Sequence, residues 1–210
     1  MAKHDPWRSA RFVLAGCFVT ACLTVGCLAY GQEGYGYPNQ EARISDLPAL
    51  TAKTTNASDV LLTSVEIIFH DKEVCCGKNS ALEDDLRAAD PASLKDVGNK
   101  LRGRHVVSDG RVFTIAAEYV PAESVNADWM IAAIQAKQPL LMKWNAHLYV
   151  VHGVNFGIFF DANGGRANSI NKLFLLDPRF SDERRAVVFD RQTDDWTKVK
   201  VLLKLKAEVE

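Results

Sequence analysis

Two adjacent cysteines, a histidine and an aspartate are the residues of this chain whose types and order suit nucleophilic catalysis. Cys75 and Cys76 precede a helix-like stretch. His147 opens an apolar segment roughly seventy residues later, and Asp177 closes another. A thiol that attacks a carbonyl needs a base for its proton and a group that orients the base. The order Cys, His, Asp therefore predicts a thiol-dependent catalytic site, provided that the fold brings the side chains together.

Of the two thiols, Cys76 is the better candidate nucleophile because it would lie at the start of a helix. Unpaired backbone N–H groups and the positive end of the helix dipole favour a thiolate there. Gly77 would let a substrate carbonyl approach, and the backbone N–H of Cys76 could donate to an oxyanion. Cys75 would lie about 100° away around the helix axis, so the two thiols cannot share one role. Cys75 is therefore the second choice.

The candidate base is chosen from four histidines that follow the N-terminal segment. His147 and His152 differ in parity along one predicted strand, so only one of them can face the cysteines. His147 stands at the strand's mouth beside Asn145, where a side chain can reach a cleft, whereas His152 lies inside an apolar run and is interpreted as structural. His70 and His105 lack supporting context. The alternative for His147 is a hydrogen-bonded surface residue.

Asp177 is the candidate group that orients the histidine. It ends the apolar stretch 173–176 and precedes Pro178, so its carboxylate could be partly buried while it holds the imidazole tautomer. The alternative is an aspartate that starts a turn before proline. Asp161 is a rival, but the Asn-Gly-Gly at 163–165 indicates that it belongs to a turn.

The first 31 residues have the features of a bacterial secretory signal peptide. Three basic residues precede an apolar run over residues 12–28, which ends in a small-x-small cleavage pattern at residues 29–31. The protein is therefore expected to be exported, to the periplasm or the medium. There are two alternatives: an uncleaved run would anchor the chain in a membrane, and Cys17 or Cys27 would be acylated in a lipoprotein.

Removing this leader would leave two of the five cysteines, Cys75 and Cys76. A disulfide between adjacent cysteines strains the intervening peptide. An exported protein would thus keep two thiols in a compartment that usually oxidises them, which suggests that a thiol is reactive. The alternative is that both are small buried hydrophobic residues.

The charge balance argues against nucleic acid as a partner. The leader contains three of the 25 basic residues and one of the 26 acidic ones, so the exported chain would carry a net charge of −3. The short charged clusters at residues 83–85 and 182–185 are typical of a solvated surface. Neither the balance nor its distribution indicates a basic face.

The rest of the chain divides into a spacer and one domain. Residues 32–59 are rich in turn-forming residues without a sustained period, which predicts a flexible or loosely docked spacer. The domain is expected over residues 60–210, and because helices come first and antiparallel strands second, its class is α+β. It is predicted to start with a strand or extended segment over 60–70, with helices at 76–89, 94–103 and 125–137, a hairpin of 105–108 and 111–119, and strands at 140–144, 147–153, 172–177 and 187–190.

Three blocks of the sequence resemble papain-like cysteine peptidases of the C39-like group. They are residues 75–82 (CCGKNSAL), 147–154 (HLYVVHGV) and 175–178 (LLDP). They match that group's Cys-Gly helix start, its histidine strand and its Asp-Pro after an apolar strand. Residues 129–144, a helix followed by a proline and a strand, also resemble the group's approach to the histidine. The resemblance covers about residues 65 to 190.

This resemblance implies a papain-like two-lobed α+β fold, in which a helical N-terminal lobe packs on an antiparallel sheet. It also implies that Cys76 attacks an amide carbonyl, His147 carries the proton and Asp177 orients the histidine, without a cofactor or a metal. The partner would be a peptide or protein substrate, and a membrane would be a partner only through an uncleaved or acylated leader. The residues carry no signal for an oligomeric state.

The chain departs from this group upstream of the cysteines. The group usually places a glutamine about six residues before the nucleophile as an oxyanion donor, and residues 70–74 contain none. His70 is the second-choice donor. The missing glutamine favours an alternative in which the fold binds peptide with weak or no catalysis. A thiol-redox or metal-holding role is a further alternative, but adjacent cysteines lack the spacer of redox motifs and His147 adds too few ligands for zinc.

Overall fold

The computed structural model describes residues 36–70, 80–107, 110–161 and 163–209. These residues divide into a small unit, with residues 36–37, 158–161 and 163–167, and a larger unit with the remainder. The helices are α1 (Ala57–Ile68), α2 (Ser80–Ala88), α3 (Leu94–Leu101) and α4 (Ala127–Gln135), and the strands are β1 (Gly36–Arg43), β2 (Gly103–Val106), β3 (Val112–Pro121), β4 (Leu140–Trp144), β5 (His147–Phe160), β6 (Arg166–Leu176), β7 (Ala186–Asp190) and β8 (Val199–Val209).

The strands form one sheet with the order β2-β3-β8-β4-β5-β6-β7, and β1 pairs with β5. The pairs β2–β3, β3–β8, β8–β4, β4–β5 and β6–β7 are antiparallel. Of the four helices in the described residues, three precede the hairpin of β2 and β3, and α4 follows it. The predicted α+β class is therefore confirmed, and its papain-like form stays a prediction.

Helices α1, α2 and α3 share a buried core with one face of the sheet. Leu148 and Val150 of β5 belong to this core, together with Leu141 of β4 and Leu203 of β8. Side chains alternate between the two faces of a strand. Leu148, which directly follows His147, therefore packs the start of β5 against the helical layer, and the side chain of His147 starts on the other face of the strand.

The prediction of a strand or extended segment over residues 60–70 is wrong, because α1 covers most of it. Asn56 caps this helix by accepting a hydrogen bond from the backbone N–H of Asp59 at 2.8 Å. The apolar residues that suggested a strand are buried around most of the helix, which is typical of a helix inside a core. A buried helix shows no amphipathic period, so the apolar run alone did not distinguish it from a strand.

The other predicted elements match the structure more closely. Helix α3, strand β4 and the hairpin of β2 and β3 are confirmed. Helix α2 is described from Ser80, and the predicted first turn at residues 76–79 lies outside the described residues. Helix α4 is shorter than predicted, since its cap is Asn126 and Lys137 has a φ of 55°. No helix in the described part of the chain is both long and apolar enough to cross a membrane.

The described part of the predicted spacer of residues 32–59 contains regular structure. It contains β1 and the start of α1. The backbone N–H of Ile44 donates to the carbonyl oxygen of His152 at 2.8 Å, and that of Ala52 donates to Pro178 at 2.8 Å. Arg185 also donates to the carbonyl oxygen of Pro48 at 2.6 Å. Residues 44–52 therefore contact the sheet and the turns beside it, and whether the segment is flexible or loosely docked stays a prediction.

A two-residue turn joins β4 to β5 directly before His147. Trp144 pairs with His147 across the hairpin. Between them Asn145 has a φ of 49° and Ala146 a φ of 66°. A left-handed conformation at both central residues is typical of the type I′ turn, which suits the twist of the strands. Asparagine tolerates this conformation, whereas for alanine it costs about 1–2 kcal/mol.

We expect Ala146→Gly to raise the free energy of unfolding by about 0.5–1 kcal/mol, since the relief of strain exceeds the added freedom of the unfolded chain. Urea unfolding of the leaderless protein measures it. The matched control is Ala132→Gly at an exposed position inside α4, which should cost about 1 kcal/mol because glycine weakens a helix. Destabilisation by both changes would contradict the assignment of strain to Ala146.

Candidate active site

His147 and Asp177 lie at the same end of the sheet and are joined through Arg179. Nη1 of Arg179 lies 2.7 Å from Nδ1 of His147. The same guanidinium donates to both carboxylate oxygens of Asp177, from Nε at 2.8 and 3.1 Å and from Nη2 at 2.5 Å. Two of the three residues predicted from the sequence are thus brought together. The arginine between them was not predicted.

The carboxylate of Asp177 is buried and closely surrounded by donors. Asp177 is 2% exposed. It also accepts from the backbone N–H of Arg179 at 3.0 Å, and its own backbone N–H donates to Arg185 at 2.8 Å. A buried carboxylate is tolerated when it is paired and hydrogen-bonded in this way. Asp177 also fits the alternative interpretation, an aspartate that starts a turn, because its carboxylate accepts from the backbone N–H two residues further on.

The ring of Tyr149 lies beside the ion pair of Asp177 and Arg179. It is two residues beyond His147 on the same side of β5, and the guanidinium carbon of Arg179 lies 5.9 Å from its ring centre. Burial, followed by the charge of Asp177, raises the pKa of the Tyr149 hydroxyl. The hydrogen bonds that Arg179 donates to the carboxylate of Asp177 raise the pKa of Arg179. Arg179 is therefore a permanent cation at this site.

The contact with Arg179 determines which ring nitrogen of His147 can carry a proton. A guanidinium has only donors, so Nδ1 must be the acceptor. A neutral ring then has its proton on Nε2, and a doubly protonated ring could not accept this bond at all. In this arrangement His147 offers an N–H group rather than a lone pair to any group on its other side. Asp177 orients Arg179 directly and His147 only through it.

A cavity of about 170 Å³ opens beside His147. Thr55 and Ala57 at the start of α1 line one side of it, and Ala92 lines another. Lys143 and Arg179 also contribute to the wall. The ammonium of Lys143 donates to the carbonyl oxygen of Ala92 at 2.6 Å. The titratable side chains known to line the cavity are thus Lys143, His147 and Arg179, all of them basic.

The candidate nucleophile and its second choice, Cys76 and Cys75, lie outside the described residues. The described parts of α1 and α2 approach each other through an ion pair. Arg87 near the end of α2 approaches Asp59 in the first turn of α1 at 3.5 Å. The end of α2 and the start of α1 are therefore on the cavity side.

The structure does not bring His70, the second-choice oxyanion donor, to this cavity. His70 follows the last turn of α1, whereas the first turn lines the cavity, and twelve residues of helix span about 18 Å. Nδ1 of His70 lies 3.1 Å from the carbonyl oxygen of Ile67.

His152 is interpreted from the sequence as structural, and its surroundings agree with that role. Its Nδ1 lies 3.2 Å from the carbonyl oxygen of Ile44, a residue of the docked segment. Burial lowers the pKa of His152, so the neutral ring that packs there is favoured. Among the described residues, no three His, Cys, Asp or Glu side chains group so as to hold a metal ion.

Comparisons with protein-family models, with curated proteins and with solved structures find no match for this chain. These comparisons therefore assign no family to the chain.

Proposed function

We propose that this chain is an exported papain-like cysteine hydrolase that cleaves amide bonds in peptides or proteins. In this proposal Cys76 is the nucleophile, His147 transfers the proton and Asp177 holds the catalytic tautomer. One observation carries it: two residues separated by thirty positions in the chain, His147 and Asp177, converge on a single cation beside a cavity. The Cys-Gly pair and the resemblance to the C39-like group supply the third residue.

The reaction begins with attack of the Cys76 thiolate on the amide carbonyl carbon. The tetrahedral intermediate collapses to a thioester as the amide C–N bond breaks, and His147 gives its proton to the leaving amine. Water then attacks the thioester while His147 accepts one of its protons. Collapse of the second tetrahedral intermediate breaks the C–S bond and releases the carboxylic acid, and the proton that His147 accepted from water passes to the thiolate, which restores the thiol and the neutral histidine.

Two movements are required by this proposal. Arg179 must release Nδ1 of His147, so that the proton can lie on Nδ1 and face Asp177 while Nε2 accepts from the thiol. Cys76 must also bring its thiol within hydrogen-bond reach of Nε2 of His147.

A second candidate function is a papain-like module that binds peptide without cleaving it. The observation that favours it is the 2.7 Å contact between Nη1 of Arg179 and Nδ1 of His147. With that bond in place, the ring cannot act as a base through Nε2. The same arrangement presents N–H groups to a ligand, which suits binding.

The test is the rate at which iodoacetamide alkylates each thiol of the leaderless protein as a function of pH. We expect Cys76 to react fast below about pH 7, because a thiolate paired with a histidine forms well below the ordinary thiol pKa of about 8.5. Mass spectrometry locates the label. Cys75→Ala, Cys76→Ala and His147→Ala are measured beside the unchanged protein.

Cys75→Ala should leave the fast reaction unchanged, and His147→Ala should slow it at least about tenfold, which corresponds to one pKa unit. Labelling of both cysteines only near pH 8.5, with no effect of His147→Ala, would overturn the hydrolase and leave the peptide-binding module.

A further inference from the structure

The cavity beside His147 has a charge that the catalytic proposal does not use. Lys143 lines it, and no carboxylate among the described residues pairs with this ammonium. Its hydrogen bond to Ala92 engages one of three N–H groups. Arg179 is neutralised by Asp177, whereas Lys143 is not. Among the described residues, the ammonium of Lys143 is therefore a positive charge at the cavity wall without a carboxylate partner.

We infer that this cavity recognises a carboxylate group of the peptide, which Lys143 and Nη1 of Arg179 bind together. This inference rests on the proposed function, because it names the substrate class of the same site. An ammonium and a guanidinium N–H are strong partners for a carboxylate, since both hydrogen bonds are charge-assisted. A volume of about 170 Å³ suits one side chain or a chain terminus rather than a longer segment of peptide.

The same contact would release His147. Nη1 of Arg179 is the atom that donates to Nδ1 of His147, and Arg179 is held on Asp177 by its other nitrogens. A carboxylate that accepts from Nη1 competes for this hydrogen bond, and a charged acceptor competes well against a neutral ring nitrogen. Binding of an acidic substrate would thus free His147 for its proton transfer. In this scheme Arg179 binds the substrate carboxylate directly and thereby releases His147.

The surrounding wall supports recognition of a short acidic group. Ala57, Ala146 and Leu148 line the cavity with apolar atoms. Such a wall excludes water around a charged pair and strengthens it. Asp59 in the first turn of α1 is bound by Thr54 and Arg87 and does not line the cavity. The described residues that line the cavity include no carboxylate that would repel the ligand.

The test measures the binding of three peptides to the leaderless Cys76→Ala protein. This substitution removes the proposed nucleophile and so prevents turnover. The probes are acetyl-Ala-Ala-Glu-Ala-amide, its glutamine counterpart, and the glutamine peptide with a free terminal carboxylate. Either the first or the third peptide carries the carboxylate that the cavity recognises. We expect that peptide to bind about tenfold more tightly than the neutral second peptide at low salt. The first and third probes distinguish a side-chain carboxylate from a chain terminus.

Lys143→Met keeps the aliphatic stem and should abolish the preference, and Lys143→Arg should restore it. The matched control is Lys200→Met. The ammonium of Lys200 likewise donates to a backbone carbonyl oxygen, that of Thr197 at 3.4 Å, but the residue does not line this cavity. Thermal unfolding of each variant confirms that the fold is kept. In ¹⁵N spectra, binding of the preferred peptide should raise the share of the Nδ1–H tautomer of His147.

Equal binding of all three peptides, or a preference that survives Lys143→Met, would overturn the inference, and the alkylation test would still decide the hydrolase. A preference for carboxylate in a protein whose Cys76 alkylates slowly would support the inference while the hydrolase fails.

Discussion

Asp177→Ala should lower the free energy of unfolding by about 3–5 kcal/mol, because it leaves a partly buried guanidinium without its counter-charge. The side chains of Asp177 and Arg179 are 3% and 17% exposed. The substitution also removes the acceptor of the Arg179 backbone N–H. Since a domain of this size is stable by about 5–15 kcal/mol, the loss would be a large share of the total. Urea unfolding measures this loss. The dependence of the free energy of unfolding on urea concentration is compared between the two proteins, because a different slope would indicate a changed unfolded state.

The chain contains a matched control for this prediction. Asp182 and Arg184 form the same pair two residues apart, with Nε and Nη2 of the arginine on the carboxylate at 3.0 and 2.7 Å. Their side chains are 50% and 65% exposed. Exposed pairs contribute little to stability, so Asp182→Ala should hardly move the unfolding midpoint. Equal effects of the two substitutions would show that burial does not set the strength of the Asp177–Arg179 pair.

Cys76→Ala should reduce amide hydrolysis at least about a thousandfold, because it removes the atom that forms the covalent intermediate. The measurement is kcat/KM of the leaderless protein on a fluorogenic amide found in a library of blocked peptides with acidic and neutral members. Cys75→Ala is the control and should keep kcat/KM within about threefold, since the two thiols cannot share one position. His147→Ala should lose activity to a similar extent as Cys76→Ala, because residues that act as a unit are not additive.

Two results would contradict this prediction. If Cys75→Ala loses the activity and Cys76→Ala keeps it, the choice between the thiols is wrong, although a thiol hydrolase would remain. If no member of the library is cleaved by the unchanged protein, the peptide-binding module becomes the better account of the site.

Local patterns predicted the elements whose sequence contains a clear boundary. The hairpin of β2 and β3 has a turn signal between its strands, α3 begins after the capping residue Ser93 and β4 begins after Pro139. Strand β8 was not predicted, although it lies between β3 and β4 at the centre of the sheet. Its sequence, VKVLLKLKAEV, alternates only in part, since it is buried at consecutive positions such as Leu202 and Leu203. A central strand covered on both faces loses the period of two.

The site was predicted in part for a similar reason. His147 and Asp177 were found because each residue stands at the end of an apolar strand, which is a feature of local sequence. Arg179 and Lys143 were missed because nothing in their neighbours distinguishes them from solvated basic residues. The Asp-Pro-Arg spacing is the signal that could have found Arg179, since a bidentate pair two residues apart recurs at Asp182 and Arg184.

The sequence by itself determined the class of the domain, the bounds of several elements and two residues, His147 and Asp177, that converge on Arg179. These depend on turn residues, caps and apolar runs, all of which act over a few positions. Only the tertiary structure decided that α1 is a buried helix, that β8 is central and that Arg179 stands between His147 and Asp177. The physical reason is that burial on both sides and ion pairing arise between elements distant in the chain, where no local period records them.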